Sequence, residues 1–282
     1  MMFASWEKRF TIGIIAWVIA LAVVCHLPLL PLVKYALFSV LVAGGIGVSL
    51  QRTWWRPRVP AKLPIFLMLH AVSDEVIDDS CANNTIRPSE LERLIIDLKA
   101  AGYVFQTATE AAENPSSRSV ALTFDDGFVD NYTELFPILK RQAVKATYFV
   151  TNRGATDSAF LSPEQIREMH ASGLVEFGGH TAEHSVLDAL TPEASEGAIR
   201  ENVKWLTEVL GFAPVSFAYP CGGYNDTIVE QVKNAGYRYA FTMHKKMRPV
   251  AKAPLLIHRQ IIPRGKTPLQ NYLLATRGKY RL

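Results

Sequence analysis

Ser119-Val120-Ala121-Leu122-Thr123-Phe124-Asp125-Asp126-Gly127 is an apolar run that closes on two adjacent carboxylates and a glycine. It reads as a buried strand running into a site. Successive side chains on an extended segment point to opposite faces, so one carboxylate can grip a metal while the other stays free as a base. Gly127 permits a sharp turn behind them. The plainer reading is an Asp-Asp-Gly cap on a helix that begins near Phe128, and this stretch alone leaves the two readings even.

A second strand-and-turn signal, Leu174-Val175-Glu176-Phe177-Gly178-Gly179, runs straight into His180-Thr181-Ala182-Glu183-His184. Two histidines four apart lie on one face of a helical turn and can share one metal, with Asp126 as a third ligand and room left for water. Nitrogen and oxygen donors accept several divalent ions, zinc being the expected one. The same residues spell H-x-x-E-H, a zinc-protease signature with Glu183 as base, but that motif needs a continuous helix and leaves Asp125 and Asp126 without a role.

Both stretches sit in a long alternation of strand and helix signals. Strands are expected at Pro64–His70, Tyr103–Phe105, near Val120, at Ala146–Val150, near Val175, and at Val215–Ala218, Tyr239–Phe241 and Leu255–Ile257. Helices are expected from Pro88 to Gly102, Ser162 to Gly173, Thr191 to Gly211 and Asp226 to Ala235, each opened by a cap or proline and most closed by glycine. Such alternation predicts a parallel sheet with helices outside, either barrel or doubly wound. The motifs follow the C-terminal ends of strands, which favours a barrel.

The chain has 282 residues, enough for one large α/β domain plus an appendage. A net charge of +4 without a basic, aromatic-laced stripe excludes a nucleic-acid binder. Cys25, Cys81 and Cys221 are far apart and make no disulfide framework. The appendage is residues 1–50: Phe10 to Leu30 is apolar, and after Lys34 a second run extends from Tyr35 to Leu50. These predict two transmembrane helices, about 10–30 and 35–50, turning at His26-Leu27-Pro28. Residues 51–62, with Arg52, Trp54, Trp55, Arg56, Arg58 and Lys62, read as a membrane-edge linker, and the positive-inside rule then prefers the cytoplasmic face. A single span would place residues 63–282 on the other side. Nothing in the sequence sets the oligomeric state.

With its T-F-D-D-G and H-T-x-x-H wording, the region from Leu63 onward resembles the polysaccharide deacetylase (NodB-homology) family, carbohydrate esterase family four, with the NodB core at about 118–282. The resemblance implies a distorted (β/α)7 barrel. The third family motif, usually Arg-Pro-Pro-Tyr-Gly, resembles Ala218-Tyr219-Pro220-Cys221-Gly222 here, with Ala218 in place of the arginine and Cys221 in place of the tyrosine. Arg259 is the expected substitute for that arginine. Backbone N–H groups of the Tyr219, Pro220, Cys221 and Gly222 loop are expected at an oxyanion, where the family uses the N–H at the Cys221 position.

The implied reaction is removal of an N-acetyl group from an amino sugar, in a polysaccharide or a lipid-linked saccharide, at a membrane. Asp126, His180 and His184 are the expected metal ligands and Asp125 the base. Two histidines compete for the general acid: His258, which matches most of the family, and His70 at the end of Leu67-Met68-Leu69-His70, which resembles the poly-N-acetylglucosamine deacetylase branch and is preferred. His170 and His244 are expected to be structural. A rival to the enzyme is an inactive, membrane-tethered carbohydrate-binding relative, which the altered third motif would fit.

Overall fold

Five consecutive apolar residues, Ile65–Leu69, are buried on both faces and form β1, the pattern of a strand inside a helix-covered parallel sheet. The computed structural model describes residues 17–28, 30–52, 63–75, 85–243 and 249–277, without the side chains of 46–52. The chain divides into two compact units, Met1–Arg56 with Arg281–Leu282, and Pro57–Tyr280.

In the larger unit β1 pairs with β3 (Ser119–Asp126), followed in order by β4 (Ala146–Val150), β5 (Val175–Gly179), β6 (Ser216–Ala218), β7 (Tyr239–Thr242) and β8 (Ile257–His258), while β9 (Gln260–Ile261) pairs with the far side of β1. Every one of these pairings is parallel. Because β8 and β9 are separated only by Arg259, the segment 257–261 joins the two sheet edges and makes a near-closed barrel of seven staves, with β2 (Val104–Phe105) added on β3. The expected strand at Leu255–Ile257 is therefore shifted: it starts at Ile257 and does its pairing on both sides of Arg259.

Alternation sorts the two faces. Val120, Leu122 and Phe124 join the core that faces the outer helices, while Ala121 lies inside the barrel with Phe66, Phe149 and Phe241. The outer helices α3 (Pro88–Ala100), α6 (Pro163–Ala171), α7 (Pro192–Leu210) and α8 (Asp226–Asn234) match the expected ones within two residues and carry proline or asparagine start signals. In place of a helix from Phe128, a π-turn at Asn131–Leu135 leads into α5 (Phe136–Gln142).

Two helices were not anticipated, α4 (Ala108–Glu113) and α9 (Pro268–Arg277). The first opens on a complete capping box, Thr107 with Glu110, and Ala108, Ala111 and Ala112 pack inside the barrel. Its first turn plugs the N-terminal end: Thr109 N–H, the hydroxyls of Thr109, Thr147 and Ser216, all donate to Glu176.

In the smaller unit, residues 17–26 (α1) and Pro31–Arg52 (α2) are helical. Trp17 Nε1 donates to the Leu41 carbonyl at 3.3 Å, and Lys34 Nζ to the Cys25 carbonyl at 3.0 Å, so the two helices do fold back on each other. No described helix is long and apolar enough to cross a membrane, so the expected transmembrane character has no support here. The described part of α1 rises only about 15 Å against a hydrocarbon core of about 30 Å. The linker residues 53–62, with Trp54 and Trp55, lie outside the described residues, as do Lys8, Arg9, Cys81 and His244.

Candidate active site

The inward face of β3 ends in Thr123 and Asp125, and the last residue of the strand leaves the extended backbone conformation. Asp126 has φ 72°, a left-handed backbone that an L-residue adopts at a cost of about 1–2 kcal/mol. Strict alternation would send Asp126 to the helix side. The left-handed turn instead brings its carboxylate to the histidines, with Oδ1 at 3.5 Å from His180 Nε2 and 3.3 Å from His184 Nε2.

The segment after β5 is not the helical turn expected from the His-x-x-x-His spacing. It is an irregular loop in which Thr181 (φ 63°) and His184 (φ 58°) are left-handed. With Cys221 (φ 55°), four of the five non-glycine residues of positive φ among the described residues line this site, where strain is characteristically held by surrounding structure. The loop geometry also removes the H-x-x-E-H reading, since no helix carries the histidines and Glu183 is exposed.

Tertiary contacts aim the histidines. His180 is buried, and its Nδ1 faces the Ala218 carbonyl at 2.8 Å, which makes Nδ1 the protonated nitrogen and leaves the Nε2 lone pair directed at Asp126. Its backbone N–H donates to Asn202 Oδ1 at 3.0 Å, while Asn202 Nδ2 donates to the Val150 carbonyl and to Asn152. Asn202 thus ties the ends of β4 and β5 together from α7. Sequence reading passed over it, although a polar residue in the buried series Ile199, Asn202, Leu206 was the signal. Gly179 makes room, since a Cβ there would meet Tyr237 Oη and Asn202 Oδ1.

Asp126, His180 and His184 offer ligand atoms that all lie within 4.8 Å of one another. The donor set fits a divalent cation: ligand distances of about 2.1 Å imply donor separations of about 3.4 Å in a tetrahedron, close to both Asp126 contacts. Burial pushes the Asp126 carboxyl up, but the imidazoles of His180, His70 and His184 outweigh it and hold it well below the usual carboxylate range. Burial, with the neighbouring His180 imidazole adding to it, pushes His184 down, which favours the neutral ring.

Asp125 is gripped by Arg259. The guanidinium donates to both carboxylate oxygens, at 2.5 and 2.7 Å, and to Thr123 Oγ1 at 3.1 Å, and it lies over the Phe149 ring. Both partners of this pair are buried. Burial raises the Asp125 carboxyl, but the charges of Arg259, His180 and His70 lower it further. Arg259 therefore clamps Asp125 from the stave that closes the barrel, while Ala218 offers no such group.

His70 directly follows β1 at the next inward position after Met68; as Met68 pairs with Thr123, continuing that register sets His70 level with Asp125. His258 stands between Ile257 and Arg259, which both face the barrel interior, so alternation turns it to the other side. His170 packs on Phe212 with Nδ1 near the Val175 carbonyl, a structural placement.

In the third-motif loop the Tyr219 side chain is in the core, its hydroxyl donating to the Leu255 carbonyl, rather than in the site. The N–H groups of Tyr219, Gly222 and Gly223 are spent on backbone carbonyls and Pro220 has none. That leaves Cys221 N–H as the loop's available donor among the described residues. Burial and the nearby Asp126 and Asp188 carboxylates push the Cys221 thiol up, away from a reactive thiolate.

The family model for polysaccharide deacetylases matches residues 112–240, which span both motifs and the third-motif loop. The Bacillus subtilis (strain 168) protein YxkH is 29% identical over 220 residues, 75% of each chain. The poly-beta-1,6-N-acetyl-D-glucosamine N-deacetylase of Staphylococcus aureus (strain MRSA252) is 29% identical over 216 residues, 70% of this chain and 73% of that one. Among solved structures, the Streptococcus pyogenes deacetylase PplD in complex with acetate superposes with TM-score 0.67 and 27% identity over 76% of this chain and 98% of that chain. IcaB from Ammonifex degensii gives 0.63 and 26% over 77% and 97%. With the motif residues converging at the C-terminal end of a seven-staved parallel barrel, the chain is similar to the polysaccharide deacetylases, a family of hydrolases, in residues 112–240 and in its fold.

Proposed function

We propose that the chain hydrolyses the N-acetyl group of an amino sugar in a polysaccharide or lipid-linked saccharide. The observation that carries this reading is the adjacency of an Arg259-held Asp125 to the converging donors of Asp126, His180 and His184. A metal held by those three, with zinc the expected ion, supplies Lewis acidity toward the acetyl oxygen and acidifies water. Asp125, kept ionised and fixed by a two-pronged guanidinium, takes the proton of the attacking water. The amine cannot leave as an anion, so His70, level with Asp125, gives it a proton. His258 is disfavoured for this because its strand face is turned away. Cys221 N–H donates to the developing oxyanion, a contact worth about 3 kcal/mol where donors are preorganised. The inactive binding reading rested on the missing motif arginine, and Arg259 fills that role from another strand.

Substrate class is supported by the name of the Staphylococcus aureus relative and by the acetate in the Streptococcus pyogenes complex. The test is acetate release from a panel of N-acetylated oligosaccharides and lipid-linked sugars, with metal analysis of the same sample. No release from any of them by the metal-loaded protein overturns the reading. A place beside the cytoplasmic face of a bilayer is proposed on the sequence of residues 10–62 and on the exposed apolar side chains of the hairpin, Leu30, Leu32, Tyr35 and Val40 among them. Alkaline phosphatase activity from a C-terminal fusion would overturn the cytoplasmic side.

A further inference from the structure

His70 carries a proton in the reading above, yet no side chain clamps its ring: Nδ1 has no hydrogen-bond partner among the described residues. The direction of the ring therefore depends on the backbone where the β1 ladder ends, and peptide groups beyond a ladder must find partners elsewhere. Two buried polar residues supply them. Asn131 Nδ2 donates to the His70 carbonyl at 3.1 Å and to Asp130 Oδ1 at 2.7 Å. Asp130 Oδ2 accepts the Val72 N–H at 2.6 Å.

Neither residue is doing the ordinary work of its position. Asp130 stands where a helix cap would, directly before the π-turn Asn131–Leu135, but it makes no capping bond to its own helix. Its carboxylate reaches across to Val72, just past the end of β1, instead. On the other side of the same segment, Ile86 N–H donates to the Ala71 carbonyl and Ser73 N–H to the Ile86 carbonyl. The strand end is thus fixed from both sides, His70 in the middle, with a π-turn of the kind often found beside functional sites.

We propose that Asp130 and Asn131 are positioning residues for His70, holding the end of β1 so that the ring meets the leaving amine. The proposal rests on His70 being the general acid. A double-mutant cycle in the full, metal-loaded chain tests both parts separately. Asn131→Ala is expected to lower kcat on the order of 10-fold or more, with KM and metal content unchanged and the alkaline limb of the pH–rate profile displaced. In a His70→Ala background the same change is expected to cost nothing further. Asn131→Ser and Asp130→Asn, followed alongside thermal melting, carry the same cycle should the alanine variant fold poorly. Losses that multiply between His70→Ala and Asn131→Ala, or an unchanged kcat in all three variants, overturn the positioning role. A His70→Ala variant near wild type overturns it through its premise, by removing the acid assignment itself.

Discussion

At the N-terminal end of the barrel Glu176 meets four donors from α4, β4 and β6, while at the C-terminal end Asp125 and Asp126 meet a guanidinium and imidazoles. The first carboxylate is surrounded by neutral hydroxyl and amide groups that satisfy it completely. The second pair is held by a guanidinium and by imidazoles, and Asp126 reaches the imidazoles through a left-handed backbone. Saturated hydrogen bonding closes one end as structure. Converging lone pairs and strain at the other leave something still to be bound.

That contrast is broken most severely by removing a ligand. Asp126→Ala, His180→Ala and His184→Ala should each lose the metal and reduce acetate release to background, because a three-ligand site cannot spare one. Metal analysis on the purified variants checks this; full occupancy in any of them excludes that residue as a ligand. Asp125→Asn should keep the metal and lose turnover by on the order of 100-fold or more. If Asp125→Asn empties the site while Asp126→Asn keeps metal, the two roles are exchanged.

Arg259→Ala leaves a buried carboxylate without its partner, a loss of about 3–5 kcal/mol in stability together with most of the turnover. Denaturant unfolding compared with kcat separates the two effects, and a stable, fully active variant would end the positioning role of Arg259. At the other end, Glu176→Gln should cost about 1–3 kcal/mol in unfolding and leave kcat within about twofold. A variant equally stable but slow would mean that the two ends are not divided in this way.

A smaller effect is expected from Asp130, whose carboxyl burial pushes up to about 6 from an ordinary 3.8. Between those values the folded chain binds a proton that the unfolded chain does not. Its contribution to stability is therefore most favourable below pH of about 4 and declines as pH rises through about 6. Asp130→Asn should flatten that part of the stability profile, and an unchanged slope would remove Asp130 as its source.

What the sequence by itself determined was local. Apolar runs ending in Asp-Asp-Gly or Gly-Gly-His, helices opened by proline and closed by glycine, and two motifs with their spacing were enough for a strand-helix barrel and for Asp125, Asp126, His180 and His184 as a group. Only the tertiary structure decided how they are aimed. Arg259 reaches Asp125 across 134 positions because the stave 257–261 closes the barrel against β1, and no local period says which basic residue will enter the interior. The His-x-x-x-His spacing, legible as a helical turn, is in fact an irregular loop, since Ala218 and Asn202 hold His180 from other elements. The α4 plug was not anticipated from the sequence, and its place inside the barrel depends on Thr147, Glu176 and Ser216 from three other strands. Periodicity and capping are set within one or two turns of chain, whereas a buried charge is placed by whatever long-range partner can satisfy it.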